Sequence, residues 1–410
     1  MRILEVSRYK NNFADHQLPF VTEQGEAIAK CLRESPVYGV KCKVYSEPSA
    51  VEYFLVRGNY VKAVKALKKK IREFKPDIVH AHYGLSAVTA ELQSEVPVVT
   101  TFHNGETLNW HVNLLCSLMS LRAKHVIYVA QHIRDLSYFK ARNYSIIPCG
   151  VPMEQMIITP KDDARKQLGW EANKKYILFG GAFDNLRKNY ALLRDAVDLL
   201  EENIKNKDKN TENNLDITKK DESEPIDISS NNIAPKSAQK QAFGQPSNQS
   251  YSASLTDSSD KKTDFQSSQK IVSLSKNSIA IVEMKGLSRA ECVLRMCACD
   301  LFALPSHSEG SPQALKEAMA VNCPCLATDI ADVRELFGDE PGHWILRNPR
   351  KTHERWDEDE KSLDEMVDLL KEALAYEGRT NGRKRIEELQ LSNEAVAKRI
   401  IKIYREILKV

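Results

Sequence analysis

The stretch that decides the fold is "LPSHSEGSPQALKEAMAVNCPCLATD", residues 304–329. It leaves an apolar run, passes a Gly-Ser-Pro turn, enters an alanine-rich amphipathic segment and ends in a second apolar run. This strand–helix–strand order is typical of a parallel sheet covered by helices. Ser311 is a preferred N-cap residue and Pro312 suits the first helical position, so we expect a helix from there to about Val321.

Two glutamates flank the start of this helix. Glu309 precedes it, and Glu317 lies about 8 Å along the axis from Pro312, on the side of Gln313, so that both carboxylates can border one cleft. The free N–H groups of the first turn and the helix dipole favour an anion such as phosphate, and the carboxylates can bind sugar hydroxyls. A nucleotide-sugar offers both groups. The alternative is an ordinary amphipathic helix with two solvated glutamates.

Length and composition limit the classes of protein. The chain has 410 residues, enough for two domains, and its net charge of +3 is too small to indicate nucleic acid as a partner. The opening "MRILEVS" reads as a strand rather than a signal peptide, and no apolar run approaches the roughly twenty residues of a membrane span. We therefore expect a cytoplasmic protein.

Cysteine usage favours free thiols in a reducing compartment. The nine cysteines are an odd number without secretory context. The pairs Cys297-x-Cys299 and Cys323-x-Cys325 could indicate zinc, but they flank the apolar run "DLFALPS", where cysteine acts as a small hydrophobe. No metal site is expected, and a zinc or redox protein is the disfavoured alternative.

Short β-rich runs alternate with longer amphipathic stretches along the chain. The first series is "MRILEVS", "CKVYSE", "DIVHAHYG", "PVVTTFH", "HVIYVA" and "SIIPCG", and the second is "KYILFGG", "SIAIVEMKG", "DLFALPS" and "CPCLATD". The pattern predicts two facing, Rossmann-like, doubly wound α/β domains, with the ligand in a cleft at the carboxyl ends of the strands.

We place the first domain at residues 1–152 and the second at residues 153–391. A C-terminal helix at about 392–410 is expected to pack back on the first domain. From about 206 to 270 the composition changes to Ser, Asn, Asp, Lys and Gln. Such a segment cannot bury enough apolar surface to offset its ordering entropy, so we expect a disordered insertion in the second domain.

Residues 304–329 resemble the signature of the family 4 glycosyltransferases, retaining enzymes of the two-Rossmann GT-B type, whose diagnostic feature is the E-x₇-E spacing. "KPDIVHAHYG", "VPVVTTFHN", "IIPCGVP" and "YILFGGAFDNLRKN" extend the resemblance over nearly the whole chain outside the insertion. The resemblance implies a metal-independent, hexosyltransferase-type enzyme without a cofactor. It would move a sugar from a UDP- or GDP-linked donor to a glycan or lipid-linked glycan acceptor, in cell-surface polysaccharide biosynthesis.

The resemblance also assigns roles within the signature. Glu309 would hold hydroxyls of the donor sugar, and Glu317 would bind the ribose. Gly310 and Ser311 would offer backbone N–H groups to the diphosphate and the sugar. Gly181, at the end of the strand "YILFGG", is placed in the same donor pocket.

Two basic residues and a histidine complete the implied site. Lys188 would neutralise the leaving diphosphate with help from Arg187, since fixed cations and a helix dipole can stabilise that charge without a metal. His103 would lie near the reacting sugar and the acceptor. The alternatives are exposed basic residues on a solvated helix and a histidine that caps a loop carbonyl. His80 and His82 are treated as lining residues: alternation points both away from Ala81, so that one of them can approach the cleft, while neither need take part in the chemistry.

The sequence departs from the family pattern at three places. Ala182 stands where many relatives carry an arginine, and Asn189 stands where a glycine commonly follows the lysine. The paired glycines usual after the first strand are absent. We still expect an active enzyme with an unusual phosphate pocket. A catalytically dead binding module is one alternative, and a sugar-nucleotide epimerase or glycosyl phosphorylase is another.

The stretch "VKAVKALKKKIREFK", residues 61–75, places Val61, Val64, Leu67, Ile71 and Phe74 at helical spacing among basic residues. The favoured interpretation is a helix that covers the sheet. The family's lipid-linked acceptors give a second interpretation, in which this basic helix makes peripheral contact with an anionic membrane at the inner face of the cell.

Overall fold

The computed structural model describes residues 1–9, 18–34, 50–218, 279–347 and 360–410. The chain divides into a large unit, formed by Met1–Glu202 with Ile271–Val410, and a second unit, Asn203–Lys270. Two parallel sheets, each covered by helices, make up the large unit.

The first half of the chain builds a six-stranded parallel sheet in the order β2-β1-β3-β4-β5-β6. The strands are β1 (Ile3–Arg8), β2 (Val51–Val56), β3 (Ile78–His82), β4 (Val98–Phe102), β5 (His125–Tyr128) and β6 (Tyr144–Ile146). The helices between them are α1 (Pro19–Glu34), α2 (Ala63–Phe74), α3 (Gly84–Glu91), α4 (Trp110–Ser120) and α5 (Gln131–Leu136). β3 and β4 are buried along their whole length, as expected for strands covered on both faces.

The second half builds a five-stranded parallel sheet in the order β11-β10-β9-β7-β8. The strands are β7 (Lys175–Phe179), β8 (Ile279–Glu283), β9 (Leu301–Leu304), β10 (Cys325–Thr328) and β11 (His343–Leu346). The helices are α6 (Lys161–Leu168), α7 (Tyr190–Thr218), α8 (Arg289–Ala298), α9 (Gln313–Ala320), α10 (Val333–Phe337), α11 (Glu360–Ala375), α12 (Gly382–Glu388) and α13 (Asn393–Leu408), with a short 3₁₀ helix at Leu186–Lys188.

Two doubly wound parallel sheets confirm the predicted fold class. Each sheet places its first strand beside both its second and its third, so the direction of winding reverses between β1 and β3 and again between β7 and β9. Ligands of such sheets bind outside the carboxyl ends of the strands at this reversal. β2 and β11 were not predicted, and the run "CKVYSE" lies outside the described residues.

The last helix returns to the first sheet. Val396, Ile400 and Tyr404 of α13 share a buried core with Ile3 and Ile28. A single parallel bridge between Val151 and Ser392 precedes this helix. The end of the chain therefore packs on the half of the molecule that the beginning of the chain builds.

The predicted insertion begins inside α7, which continues to Thr218; the remainder of segment 206–270 lies outside the described residues. Its flanks nevertheless meet, because the backbone N–H of Ile279 donates to Oε1 of Glu201 at 3.1 Å. The helix predicted within residues 61–75 is α2, with Leu67, Ile71 and Phe74 buried. Val61 is exposed, which corrects its assignment to the buried stripe, because it lies before the first turn of the helix.

Candidate active site

The loop after β7 carries two of the predicted basic residues. Arg187 and Lys188 lie in the 3₁₀ helix that Asn185 caps, its side chain accepting from the Arg187 N–H at 3.2 Å. Asn189 closes this turn at a φ of +56°. Because asparagine tolerates the left-handed region, it fills the position where relatives commonly have glycine without losing the turn.

Gly181 makes room for the lysine. A Cβ atom at Gly181 would lie 2.7 Å from Cγ of Lys188, closer than packed side chains approach. The glycine thus lets the Lys188 stem pass along the end of β7. Packing against Lys188 is therefore the reason that a glycine is required at position 181.

Glu309 is held by both basic residues. Its Oε1 accepts from the Lys188 ammonium at 2.7 Å, and its Oε2 lies 3.3 Å from Nη1 of Arg187. Arg187 also donates to the backbone oxygen of Ser308 at 2.7 Å. Burial would raise the pKa of Glu309, but Lys188 and Arg187 outweigh it and leave the pKa below its usual value. The carboxylate is therefore ionised and fixed beside two cations.

The start of α9 differs from the expectation. Pro312, and not Ser311, is the N-cap residue, and the helix begins at Gln313. Ser311 instead donates its hydroxyl to Oδ2 of Asp332 at 2.6 Å. Local propensity predicts that the Ser311 hydroxyl caps the helix, but in the structure it is hydrogen-bonded to Asp332, 21 positions away in the sequence.

Glu317 joins an ion-pair chain. Its Oε1 accepts from Nη1 of Arg289 at 2.6 Å, and Nη2 of the same guanidinium lies 2.5 Å from Oε1 of Glu23 in α1. Gln313, one turn earlier, lies 3.5 Å from the same Glu317 oxygen. Burial raises the pKa of Glu317, opposed by Arg289. Arg289 thus links a carboxylate of each half of the molecule.

Lys316, next to it, is fully buried and was not predicted as a site residue. Its ammonium donates to the backbone oxygen of Cys149 at 2.6 Å, across the segment that connects the two sheets. Burial lowers the pKa of Lys316, while Cys149, Asp332 and Glu317 act in the opposite direction. The residue ties α9 to the connecting segment.

A buried hydrogen-bonded chain leads to His103. Oε2 of Glu5 lies 2.8 Å from Nε2 of His82, and Nδ1 of His82 lies 3.1 Å from Nε2 of His103. The Glu5 carboxylate only accepts, so Nε2 of His82 carries the proton and donates it to Glu5. Nδ1 of the neutral His82 is then an acceptor, so Nε2 of His103 carries the proton that it receives. Nδ1 of His103 then faces Sγ of Cys149 at 3.6 Å. Both ring nitrogens of His103 are therefore engaged within the protein.

The surroundings keep these histidines neutral. Burial lowers the pKa of His82, and burial together with His82 and His80 holds the pKa of His103 well below its usual value. His80 lies deeper, with Nδ1 2.6 Å from the Tyr404 hydroxyl and Nε2 2.7 Å from Oγ1 of Thr101. Of the two predicted lining histidines, His82 connects to the loop after β4, and His80 is part of the core.

The loop after β4 contacts the signature loop directly. A Cβ atom at Gly310 would lie 2.4 Å from the backbone oxygen of His103, so only glycine fits there. Asn104 donates to Oγ of Ser308 at 3.2 Å. The structure thus brings the predicted residues His103, Glu309 and Gly310 to one place between the two sheets.

A small pocket lies at the first sheet, beside this contact. It has a volume of about 210 Å³ and is lined by Arg8, Tyr60, Tyr83, Leu85, Gly105, Glu106 and Val112. Tyr83 has a φ of +69°, a strained value for a residue with a side chain, of the sort that gathers at functional sites.

Glu106 closes this pocket. It accepts from the backbone N–H groups of Gly84 at 2.8 Å and His103 at 3.2 Å. Burial raises the pKa of Glu106 to about 6, against the effect of its backbone hydrogen bonds, those to Gly84 and His103 among them. The signal for this residue in the sequence is its position just after "TTFHN", from which only Gly105 separates it.

The buried cysteines of the second half do not belong to the group of side chains that could bind a metal ion in the described residues. Cys297, Cys299, Cys323 and Cys325 are all buried free thiols, in agreement with their interpretation as small hydrophobes. Within the described ranges, one group offers three potential metal ligands close together: Glu5, His80 and His82. Glu5 and His82 also form the hydrogen-bonded chain that leads to His103, whereas His80 is bonded to Tyr404 and Thr101.

The chain matches two family models. The model described as Glycosyltransferase Family 4 matches residues 33–155, and the model described as Glycosyl transferases group 1 matches residues 264–359. The first match contains His82 and His103 and the second contains Glu309 and Glu317. A Bacillus subtilis protein named as a teichuronic acid biosynthesis glycosyltransferase, TuaC, is 49% identical over 43 residues. The match covers 10% of this chain and 11% of that protein.

Solved structures share the fold over the full length of the chain. A sucrose-phosphate synthase from Thermosynechococcus elongatus has a TM-score of 0.63 and 15% identity, with complete coverage of both chains. The Anabaena protein HepE in complex with UDP and glucose has a TM-score of 0.59 and 14% identity, covering 99% of this chain and 100% of its own. At these identities the likeness concerns the fold. The two family models, which together match just over half of the chain, show that it belongs to the family 4 glycosyltransferases, and the solved structures show that it has the GT-B fold.

Proposed function

We propose that this protein transfers a sugar from a nucleotide-sugar, UDP- or GDP-linked, to a glycan or lipid-linked glycan acceptor, with retention of the anomeric configuration. The observation that carries the proposal is the position of Glu309, an ionised carboxylate between Lys188 and Arg187 whose loop touches the His103 loop of the first half. A donor there would meet fixed cations for its diphosphate and a carboxylate for its sugar hydroxyls.

The two cations supply what the leaving group needs. Breaking the anomeric bond leaves negative charge on a nucleoside diphosphate, and preorganised positive groups stabilise such charge as it develops. Lys188 and Arg187 are held in place by Glu309, by the Ser308 backbone oxygen and by the Asn185 cap. We therefore propose a reaction that these residues carry out without a metal ion. In this role Glu309 also aligns the lysine.

We assign Glu317 to the ribose hydroxyls, and the backbone N–H groups of Gly310 and Ser311 to the diphosphate and sugar. Glu317 keeps its Oε1 on Arg289, so the nucleotide would bind the edge of an existing ion pair. Gly181 would line the donor pocket through its packing on Lys188.

His103 is proposed to act through its main chain and its fixed position. Its imidazole has both nitrogens engaged by His82 and Cys149, whereas its backbone oxygen points to Gly310. The small pocket lined by Tyr83 and Glu106 would then bind the acceptor sugar, whose hydroxyl group receives the transferred sugar, next to the donor.

The Anabaena protein was solved with UDP and with UDP-glucose, and the Bacillus subtilis relative is named for teichuronic acid biosynthesis. We therefore propose a UDP-sugar as the first donor to test. A cell-surface polysaccharide is the first class of product to test. The proposal places the enzyme in the cytoplasm, at the inner face of the membrane when its acceptor is lipid-linked.

The anomeric outcome and the metal requirement are tested in one reaction. With a donor and an acceptor identified, proton NMR of the first-formed product should show the donor's anomeric configuration, and EDTA should leave the rate unchanged. An inverted product would refute retention. Loss of activity with EDTA and recovery with magnesium would refute the metal-independent chemistry.

A further inference from the structure

Helix α4 turns its leucines outward. The side chains of Trp110, Leu114, Leu115, Leu118 and, directly after the helix, Leu121 are between 40 and 59% exposed. At 100° per residue they fall within one continuous arc of the helix. His111, also exposed, lies within that arc.

The opposite side of α4 is buried and mostly polar. It carries Asn113, Cys116, Ser117 and Ser120. Asn113 donates to the backbone oxygen of Leu136 at 2.8 Å, so the inward orientation is fixed by a specific hydrogen bond. A helix in water normally buries its leucines and exposes its asparagine and serines. This helix has the reverse arrangement, which indicates that its outer face is covered by something apolar in the working protein.

The segment after α5 extends this surface. Leu136, Tyr138 and Phe139 are also exposed, and the hydrogen bond from Asn113 to Leu136 places them beside α4. Leu108 adds to the surface at the other end, just before the helix. We name the exposed side chains of Leu108–Leu121 and Leu136–Phe139 the α4 face.

Charge identifies the kind of partner. Residues 107–145 contain five basic side chains, Arg122, Lys124, Arg134, Lys140 and Arg142, and a single acidic one, Asp135; three of the cations, Arg122, Lys124 and Arg142, also line a pocket with Glu91, Glu95 and Glu406 of neighbouring elements. Asp135 is occupied by hydrogen bonding to Gln131 and by Arg134. A second copy of this chain would bring the same positive segment against itself, because a twofold interface pairs a surface with its own kind. An anionic lipid surface instead complements it.

We propose that the α4 face binds the interfacial region of an anionic lipid bilayer, with its leucines in the acyl boundary and its basic rim at the headgroups. Trp110 and Tyr138 suit that position, since their amphipathic rings favour the membrane interface. None of the helices in the described part of the chain is long and apolar enough to span a bilayer, so the contact is peripheral.

The α4 face fits this role better than α2, which the sequence had offered. Leu67, Ile71 and Phe74 of α2 are buried, so its basic side lacks an apolar face to insert. Several of its cations are also paired with carboxylates: Lys68 and Arg72 with Glu95, and Lys70 with Glu52. The inference concerns where the enzyme is held and does not depend on which nucleotide-sugar it uses.

The test is cosedimentation of the full-length protein with vesicles of phosphatidylcholine alone and of phosphatidylcholine with an equal part of phosphatidylglycerol. The wild-type protein should bind the anionic vesicles, less at high salt, and bind the neutral vesicles weakly. Leu114→Ser with Leu118→Ser should weaken that binding by about tenfold or more, because the lost apolar area drives insertion. Lys140→Gln with Arg122→Gln should weaken binding to anionic vesicles only.

The matched control is Lys62→Gln with Lys65→Gln on α2, which should bind as the wild type does. Trp110 gives a second readout: its fluorescence should shift to the blue on adding anionic vesicles, and Trp110→Phe should remove that shift. A leucine variant that keeps the wild-type melting temperature and binds vesicles undiminished would overturn the proposal. So would loss of binding in the α2 control alone, or a wild-type dimer that the leucine variant converts to monomer.

Discussion

The ammonium group of Lys188 lies 2.7 Å from Oε1 of Glu309, so the residue proposed for the diphosphate and the residue proposed for the sugar form one ion pair. Both side chains are largely buried. Breaking such a pair by removing one partner leaves an uncompensated charge in a partly desolvated place. The two residues are therefore expected to act as a unit in binding and catalysis.

The first prediction concerns Glu309. Glu309→Gln keeps the shape of the side chain but removes its charge, and it should lower turnover about ten- to a hundredfold, since a hydrogen bond to a charged group contributes about 1.5–3 kcal/mol. Affinity for bare UDP or GDP should change less, because the sugar is the proposed partner. Steady-state rates and calorimetric titration of the nucleotide measure both. A variant that loses nucleotide affinity and keeps turnover would reverse the assigned roles.

The second prediction concerns the Arg289 ion pairs. Glu317→Ala should weaken nucleotide binding by about 1–3 kcal/mol, because it removes the proposed hydrogen bond between the Glu317 carboxylate and the ribose hydroxyls. Glu23→Ala removes the other carboxylate held by Arg289 and is the matched control. It should change nucleotide affinity much less. Equal losses in the two variants would mean that Glu317 only holds Arg289 in place.

The third prediction concerns pH and Glu91, a buried residue of α3. Burial raises its pKa to about 8, against Arg122 and Lys124, and in the described parts of the chain its Oε1 has no hydrogen-bond partner. The pKa of this carboxyl is 4.5 in the unfolded chain and about 8 in the folded protein. At pH values between these two, the folded state therefore binds more protons at Glu91 than the unfolded state does. Its contribution to stability therefore falls as pH rises through that window.

Glu91→Gln should accordingly raise the melting temperature at the alkaline end of that window and change it little near its acidic end. The measurement is a pair of thermal melts of each protein at the two ends of the window. Glu73→Gln, an exposed glutamate of α2, is the control and should show no such pH dependence. An equal gain at both ends would contradict a raised pKa for Glu91.

The fourth prediction concerns the insertion. Deleting residues 206–270 and joining the ends with a short linker should preserve folding and donor binding, because Ile279 and Glu201, on either side of the segment, are hydrogen-bonded to each other. Closing a short loop between neighbouring ends costs little entropy. Circular dichroism and a thermal melt of the shortened protein are the checks. A shortened protein that aggregates would show that the segment contributes to the core.

The fold could be predicted from the sequence because its central strands are short, apolar and followed by glycine or polar turns. β3, β4, β9 and β10 were recognised in this way. β11 was missed because its "HWIL" mixes polar and aromatic residues, so that neither alternation nor an apolar run marks it. β2 was missed because the neighbouring run "CKVYSE" offered an equally β-rich pattern.

The site could be predicted only in part. Glu309, Lys188 and Gly310 follow strands, and the structure brings their loops together with His103. Lys316 could not be predicted, because its partner is the backbone of Cys149, a tertiary contact across 167 positions of sequence. The Ser311 hydroxyl was misassigned for the same reason, since Asp332 accepts it.

The outward face of α4 was also beyond pattern reasoning. Helical periodicity identifies a leucine-rich arc but assigns it to the core. The inward orientation of the opposite side depends on Asn113 and the Leu136 backbone oxygen, 23 positions away.

The most direct test of the proposed function is a thermal shift with UDP- and GDP-sugars in EDTA, comparing wild type with Lys188→Gln. One donor should raise the wild-type melting temperature, because a ligand at a hundred times its dissociation constant stabilises the folded state by about 2.7 kcal/mol. In Lys188→Gln the shift should be lost while the protein itself still melts cooperatively. A shift that requires magnesium, that survives in Lys188→Gln, or that no nucleotide-sugar produces would contradict the account.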